Sequence, residues 1–191
     1  MKKQQNKLIG INATCFSNRP SGAKNRFIGF FQHIFNVNQD LNFIVYMPTD
    51  CRLEKHFSKN QNVTFKRTPL KSTNPLQRFI FGLFYWYFEL RRMNFDIFES
   101  FNLPLVKNPL GMTLLTIHDV RHIRAFSWFR FIKFIIHQRA IRQADRVITV
   151  SNSMRSEILE IFPETKITVI YNGINQSIKK YFVDQNHSIL S

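Results

Sequence analysis

The sequence predicts a doubly wound α/β domain of Rossmann-like type, built on a largely parallel sheet. Two observations carry this reading. Short apolar, β-branched segments alternate with helix-like stretches from one end of the chain to the other. The stretches between them run to about ten to eighteen residues, the length a crossover helix needs and a hairpin does not. Right-handed crossovers then cover both faces of the sheet. At 191 residues the chain has room for one domain with a real core, and two full domains would be a squeeze.

The elements follow in order. Leu8-Ile9-Gly10-Ile11-Asn12-Ala13 reads as a buried strand and runs into a loop of Ser17, Asn18, Arg19, Pro20, Ser21 and Gly22. From Lys24 to Asn36, Phe27, Ile28, Phe31, Ile34 and Phe35 fall at helical spacing. Phe43-Ile44-Val45-Tyr46-Met47 is a second strand stopped by Pro48, and Val63-Thr64-Phe65 a short third. Pro75 suits the first turn of a helix running to about Arg92. Asp96 to Glu99 gives the fourth strand, and Thr113-Leu114-Leu115-Thr116-Ile117 a central fifth ending at His118-Asp119. A basic, aromatic helix is expected from about Ser127 to Ala144. Arg146 to Val150 is the sixth strand, then a helix capped by Ser151 or Asn152. Lys166 to Tyr171 is the last strand, closed by Asn172-Gly173.

Composition limits the partners more than the fold. Apolar residues make up 44% of the chain, too many for a disordered tail. The 21 phenylalanines imply an aromatic core plus exposed aromatic surface, which sequence alone does not divide. A net charge of +15 sets up a positive field that favours anionic partners: nucleic acid, a phosphorylated small molecule or an anionic membrane face. Cys15 and Cys51, without a CxxC or a His/Cys cluster, read as structural thiols in a reducing cytosol. Lys2-Lys3 is followed by polar Gln4 to Lys7 rather than an apolar run, so no signal peptide is expected. The longest apolar run, Phe79 to Phe88, falls short of the ~20 residues a membrane span needs. The histidines have no ligand spacing, so no metal is expected, and no P-loop or GxSxG motif occurs.

Three blocks carry a resemblance: Thr116-Ile117-His118-Asp119-Val120, Ala144-Asp145-Arg146-Val147-Ile148-Thr149-Val150-Ser151, and Val169-Ile170-Tyr171-Asn172-Gly173-Ile174. Asp96 to Glu99 with Asn102-Leu103-Pro104 adds weaker support. In order and spacing the blocks resemble the N-terminal domain of the family-4 retaining GT-B glycosyltransferases. The resemblance implies that residues 1–174 form an acceptor-side Rossmann-like domain. It implies too that 175–191 are a connector into a donor-binding domain that the chain does not reach. No cofactor is implied.

The resemblance also orders the candidate site residues. His118 would face the interdomain cleft and donate to the donor sugar or its departing phosphate, with Asp119 orienting it or capping the next loop. Without the family match, His118 reads as a histidine satisfying backbone groups at a turn. Gly22 and Arg26, at a loop-to-helix junction, would seat the donor phosphate, although the family often has two adjacent glycines there and this chain has one. Asn172 and Gly173 would stand at the cleft edge, with Asn175 where an Asp is common. Arg130 and Lys133, with His137, would present a basic face to an anionic membrane or acceptor. The plain alternative for that helix is phenylalanines packed inward with a solvated basic edge.

The function implied is sugar transfer, with retention and without metal, from a nucleotide-sugar donor to a glycan or lipid-linked acceptor. The isolated chain would be inactive, and a second polypeptide carrying the donor domain is a candidate partner. The expected location is the cytoplasm, peripheral on the inner membrane face. The rival reading is a noncatalytic basic binding domain docking on an anionic membrane or a partner chain; nucleic acid is disfavoured because no recognised motif is present.

Overall fold

The computed structural model describes residues 7–38, 40–57, 60–119 and 130–171. Its elements are β1 (Lys7–Asn12), α1 (Gly22–Val37), β2 (Leu41–Met47), a 3-10 turn (Leu53–His56), β3 (Val63–Arg67), α2 (Pro75–Met93), β4 (Ile97–Ser100), β5 (Met112–Ile117), α3 (Arg130–Gln143), β6 (Arg146–Thr149), α4 (Asn152–Ile161) and β7 (Ile167–Val169). The seven strands form one sheet in the order β3-β2-β1-β4-β5-β6-β7, and every pairing is parallel. The fold is α/β and Rossmann-like, with the strand order reversing direction between β1 and β4.

Register assigns each side chain to a face. Ile11 pairs with Val45 and Glu99, and Glu99 with Leu114, so these share the face that α1 covers. Asn12 pairs with Tyr46 and Ser100, and Ser100 with Leu115, on the face that carries α2, α3 and α4. Among the described residues, α1 is the one long helix on its face. It lies over β1 and β2 and leaves the β4–β7 half beside an open groove.

α1 forms because Phe27, Phe31 and Phe35 recur every four residues and stack against Ile11, Phe43 and Val45. The Ser21 hydroxyl starts it by accepting from the Lys24 amide at 3.2 Å. Consecutive ring centroids lie 4.7 and 5.5 Å apart, a geometry worth about 0.5–1.5 kcal/mol per pair beyond area burial.

α2 begins as the proline predicts. Asn74 Oδ1 accepts from the Gln77 amide at 3.0 Å, Pro75 opens the first turn, and Asn94 ends the helix at φ 50. Gly82, Trp86, Glu89 and Leu90 form its buried face. Glu89 is tolerated there because it ion-pairs with Lys66 and Arg92 and accepts from the Tyr46 hydroxyl at 2.7 Å. Gly111 closes the β4–β5 connection. A side chain there would collide with the carbonyl oxygens of Phe95 and Asp96, so the close backbone approach demands glycine.

The structure divides the phenylalanines. Nine of those described as buried hydrophobics build three clusters, while α2 turns Phe81, Phe84 and Phe88 outward at 59%, 65% and 67% exposure. Arg78, in the first turns of α2, points into the loops, its Nη1 donating to the Ser72 carbonyl at 2.8 Å. Element ends shift by a residue or two from expectation, and the first part of the Ser127–Ala144 helix lies outside the described residues.

Candidate functional site

His118 follows β5 directly and lies at the carboxyl end of the sheet, where open α/β sheets bind ligands. Its ring stacks on Phe101 from the end of β4, with centroids 5.8 Å apart and planes 18° from parallel. Its Nε2 is shielded from water and has no partner among the described residues. Burial, reinforced by the Arg26 charge, lowers its pKa to about 4, so the imidazole is neutral near pH 7.

Arg26 enters from α1. Its guanidinium donates to the Ile170 carbonyl at 3.1 Å, reaching across the groove to the segment after β7, and its carbon lies 5.9 Å from the Phe30 ring centre. Thus two predicted site residues, His118 and Arg26, are electrostatic neighbours although 92 positions separate them (118 − 26). Gly22 is the exposed first residue of the same helix. Lys24, one turn in, is 6% exposed, with Nζ donating to the Ser17 carbonyl at 2.9 Å.

Glu99 completes the group, although by sequence it is no more than a residue of the fourth strand. It projects from β4 into the groove, where Thr116 Oγ1 donates to its Oε1 at 2.6 Å. Burial raises its pKa to about 7 against the pull of Thr116 and Arg26. Such a carboxyl can hold or release a proton near neutrality. The signal that could have found it is a lone carboxylate inside the apolar strand Ile97-Phe98-Glu99, in line with the α1 face.

The groove itself is a cavity of about 320 Å³ between α1 and the β4–β7 half of the sheet, lined by Phe30, Ile34, Ile97, Leu114 and Ile148 with Arg26 and Glu99 as its charged groups. The apolar walls explain the Glu99 shift, because they penalise its charged form; His118, stacked on Phe101 beside the groove, is shifted by its own burial and the Arg26 charge.

The other predicted residues are less connected. Asp119 follows His118 at the strand end. Lys133 is half-buried on α3, where its carbonyl meets His137 Nδ1 at 2.8 Å; Arg130 opens that helix. Phe131, Ile132 and Ile135 of α3 are exposed, so apolar side chains as well as cations face solvent there. Asn172 and Gly173 lie outside the described residues.

A stability test follows from Glu99. The fold holds its proton more tightly than the unfolded chain, whose carboxyl titrates near 4.5. The associated stability is therefore full below that value and is lost as pH rises through about 7. Glu99→Gln keeps the acceptor for Thr116 and cannot ionise. We expect it to stabilise the protein at pH 8 by on the order of 1–2 kcal/mol, allowing for water that still reaches the side chain, with the gap closing by about pH 5. Urea unfolding at both pH values measures it, and a pH-independent difference would show that Glu99 is not held protonated.

A search of curated proteins finds no match to this chain. Among solved structures, a glucose-6-phosphate dehydrogenase in complex with its substrate glucose-6-phosphate is similar at 11% identity and a TM-score of 0.38. The alignment covers 84% of this chain but 40% of that one, so the chain spans less than half that protein's length. A likeness this loose carries no argument about activity. The profile of Glycosyltransferase Family 4 matches residues 37–177, from before β2 to beyond β7. On that match the chain belongs to Glycosyltransferase Family 4.

Proposed function

We propose that residues 1–174 are the acceptor-side half of a glycosyltransferase and that 175–191 lead toward its donor-binding half. The reaction moves a sugar from a nucleotide-sugar donor to a glycan or glycolipid acceptor. The bond from the anomeric carbon to the diphosphate oxygen breaks, an acceptor hydroxyl oxygen bonds to that carbon and gives its proton to the departing diphosphate, and configuration is retained. The observation that carries this reading is the neutral His118, with Nε2 unpartnered at the carboxyl end of a central strand beside Arg26. In its Nε2–H tautomer it can donate to the departing group as negative charge develops there. Asp119 orients the loop or the ring. The amides around Gly22 at the start of α1, with the Arg26 charge, favour the diphosphate. The family resemblance would assign Asn172 and Gly173 to the cleft edge.

The test is transfer from a radiolabelled nucleotide sugar to a lipid-linked acceptor. The 191-residue protein would be assayed alone and with a donor-binding half supplied as a second chain. We expect product only with both chains. No transfer in any combination, over a range of sugars and acceptors, would count heavily against the reading.

A second reading concerns location. Phe81, Phe84, Phe88 and Leu76 on α2 are exposed, and Arg91 lies over Tyr87 at 3.6 Å on the same helix. No described helix is long and apolar enough to cross a membrane. We infer peripheral docking on an anionic cytoplasmic membrane face, through α2 with Arg130 and Lys133 of α3 as added basic contacts. Phe84→Ser with Phe88→Ser should reduce co-sedimentation with phosphatidylserine vesicles at least fivefold; unchanged binding would exclude α2 as the docking element.

A further inference from the structure

The β1–β4 switch point holds a polar group that the His118 side of the molecule does not use. Asn12 at the end of β1 donates from Nδ2 to Ser100 Oγ of β4 at 2.9 Å, and its Oδ1 accepts from the Thr14 hydroxyl at 2.7 Å. Asn102 Nδ2 reaches Thr14 Oγ1 at 3.5 Å and the Leu103 carbonyl at 3.2 Å. Its Oδ1 is shielded from water and unpartnered.

Arg78 comes to the same place from the first turns of α2. The same helix packs there on the segment that follows Asn102, since a side chain at Gly82, one turn after Arg78, would lie 3.2 Å from the Pro104 ring. One guanidinium nitrogen, Nη1, donates to the Ser72 carbonyl, while Nε is shielded and unpartnered, as is Ser72 Oγ. Asp50 is the nearby carboxylate, but its oxygens are taken by the Ser72 amide at 2.8 Å and by the Thr73 amide and hydroxyl at 3.1 and 2.8 Å. Among the described residues no carboxylate forms an ion pair with Arg78.

A shielded donor or acceptor without a partner is costly, because it has given up its hydrogen bonds to water and gained none. Three of them lie on the loops after β3 and β4 and on the first turns of α2, elements that meet near the point where the strand order reverses. A ligand that satisfies all three must bring an anionic oxygen and a hydroxyl close together.

We propose that Arg78, Ser72 and Asn102 form a receptor for the anionic group of a sugar acceptor, a phosphate or a carboxylate. The inference rests on the acceptor-side reading above. Two oxygens of the anion take Arg78 Nε and its remaining guanidinium nitrogen side by side, the geometry that guanidinium offers to phosphate and carboxylate alike. The Ser72 hydroxyl donates to the anion, and a hydroxyl of the same sugar donates to Asn102 Oδ1. A neutral sugar makes only the last contact.

Calorimetric titration of the 191-residue protein with glucose, glucuronate, glucose 1-phosphate and inorganic phosphate tests this. We expect at least one anionic sugar to bind tenfold or more tightly than glucose, and the two anionic sugars to separate a carboxylate site from a phosphate site. Arg78→Gln should abolish that preference, with folding checked by circular dichroism. Arg78→Lys keeps the charge without the paired nitrogens and should weaken binding about fivefold, which covers the case in which the glutamine variant does not fold. Asn102→Ala should weaken the anionic sugars and leave inorganic phosphate unchanged, and Arg155→Ala, exposed on α4, should leave every affinity unchanged. Equal affinity for glucose, no binding of any anionic sugar, or a preference that survives Arg78→Gln would overturn the proposal. Anionic-sugar binding that depends on Arg78, with no sugar transfer in the two-chain assay, would instead leave this site standing and remove the transferase reading.

Discussion

Replacing His118 with alanine should lower the rate of sugar transfer by about 10²–10³-fold in the two-chain assay, the usual cost of removing a donor aimed at developing charge. The fold should survive, because His118 is only half-buried and its ring packs on the edge of the α1 core cluster, at Phe101, rather than within it. The imidazole stays neutral down to about pH 4. Its protonation therefore puts no limb in a rate profile between about pH 5 and 8. Any limb near pH 7 belongs to Glu99 and should vanish in Glu99→Gln. An unchanged kcat in His118→Ala would remove the histidine from the mechanism. A limb near pH 7 that persists in Glu99→Gln would remove the carboxyl from it.

Trp86→Ala should destabilise the protein by about 3–5 kcal/mol, a large part of the roughly 5–15 kcal/mol that separates folded from unfolded domains. Trp86 is 1% exposed, and its ring lies 5.1 Å from the rings of Tyr46, Tyr85 and Phe98. Leu70, Leu90 and Phe95 close the same cluster. The cavity left behind cannot collapse easily, because β2, β4 and the α2 backbone fix its walls. Trp86→Phe is the informative companion. It keeps most of the ring packing and removes an indole N–H that has no partner among the described residues, so its cost should stay below about 1.5 kcal/mol. Urea denaturation of both variants measures the pair. Similar losses for phenylalanine and alanine would mean that the indole nitrogen, rather than packing, holds this cluster.

Much of the fold is legible in the sequence because it rests on local pattern. Phe27, Phe31 and Phe35 mark the buried face of α1 by spacing alone, and Pro75 marks the start of α2 through its fixed φ. Ser151 caps α4 as its position predicts, its Oγ accepting from the Met154 amide at 3.2 Å. β5 and β6 stand out as short β-branched runs between polar loops, and His118 is singled out only when the three family blocks are read together. The candidate site is legible only in part. Sequence marks His118 and Arg26 separately, but not their electrostatic contact, the part played by Glu99 or the inward turn of Arg78.

The division has a physical cause. Periodicity, caps and turn residues report free energies settled within a few residues, so the sequence by itself determined the order of the described strands and α-helices and the α/β class, though not the 3-10 turn at Leu53–His56. Its three blocks also pointed to the family. Which strands become neighbours depends on crossover direction, which no local segment encodes, and that choice reversed the order between β1 and β4. Only the tertiary structure brought Arg26 and Glu99 into one apolar groove and set His118 on Phe101 at its border, within reach of the Arg26 charge, where burial moved the two titrating groups in opposite directions. It alone decided which phenylalanines lie in the core and which face water from α2, because burial depends on what packs against a side chain rather than on the side chain itself.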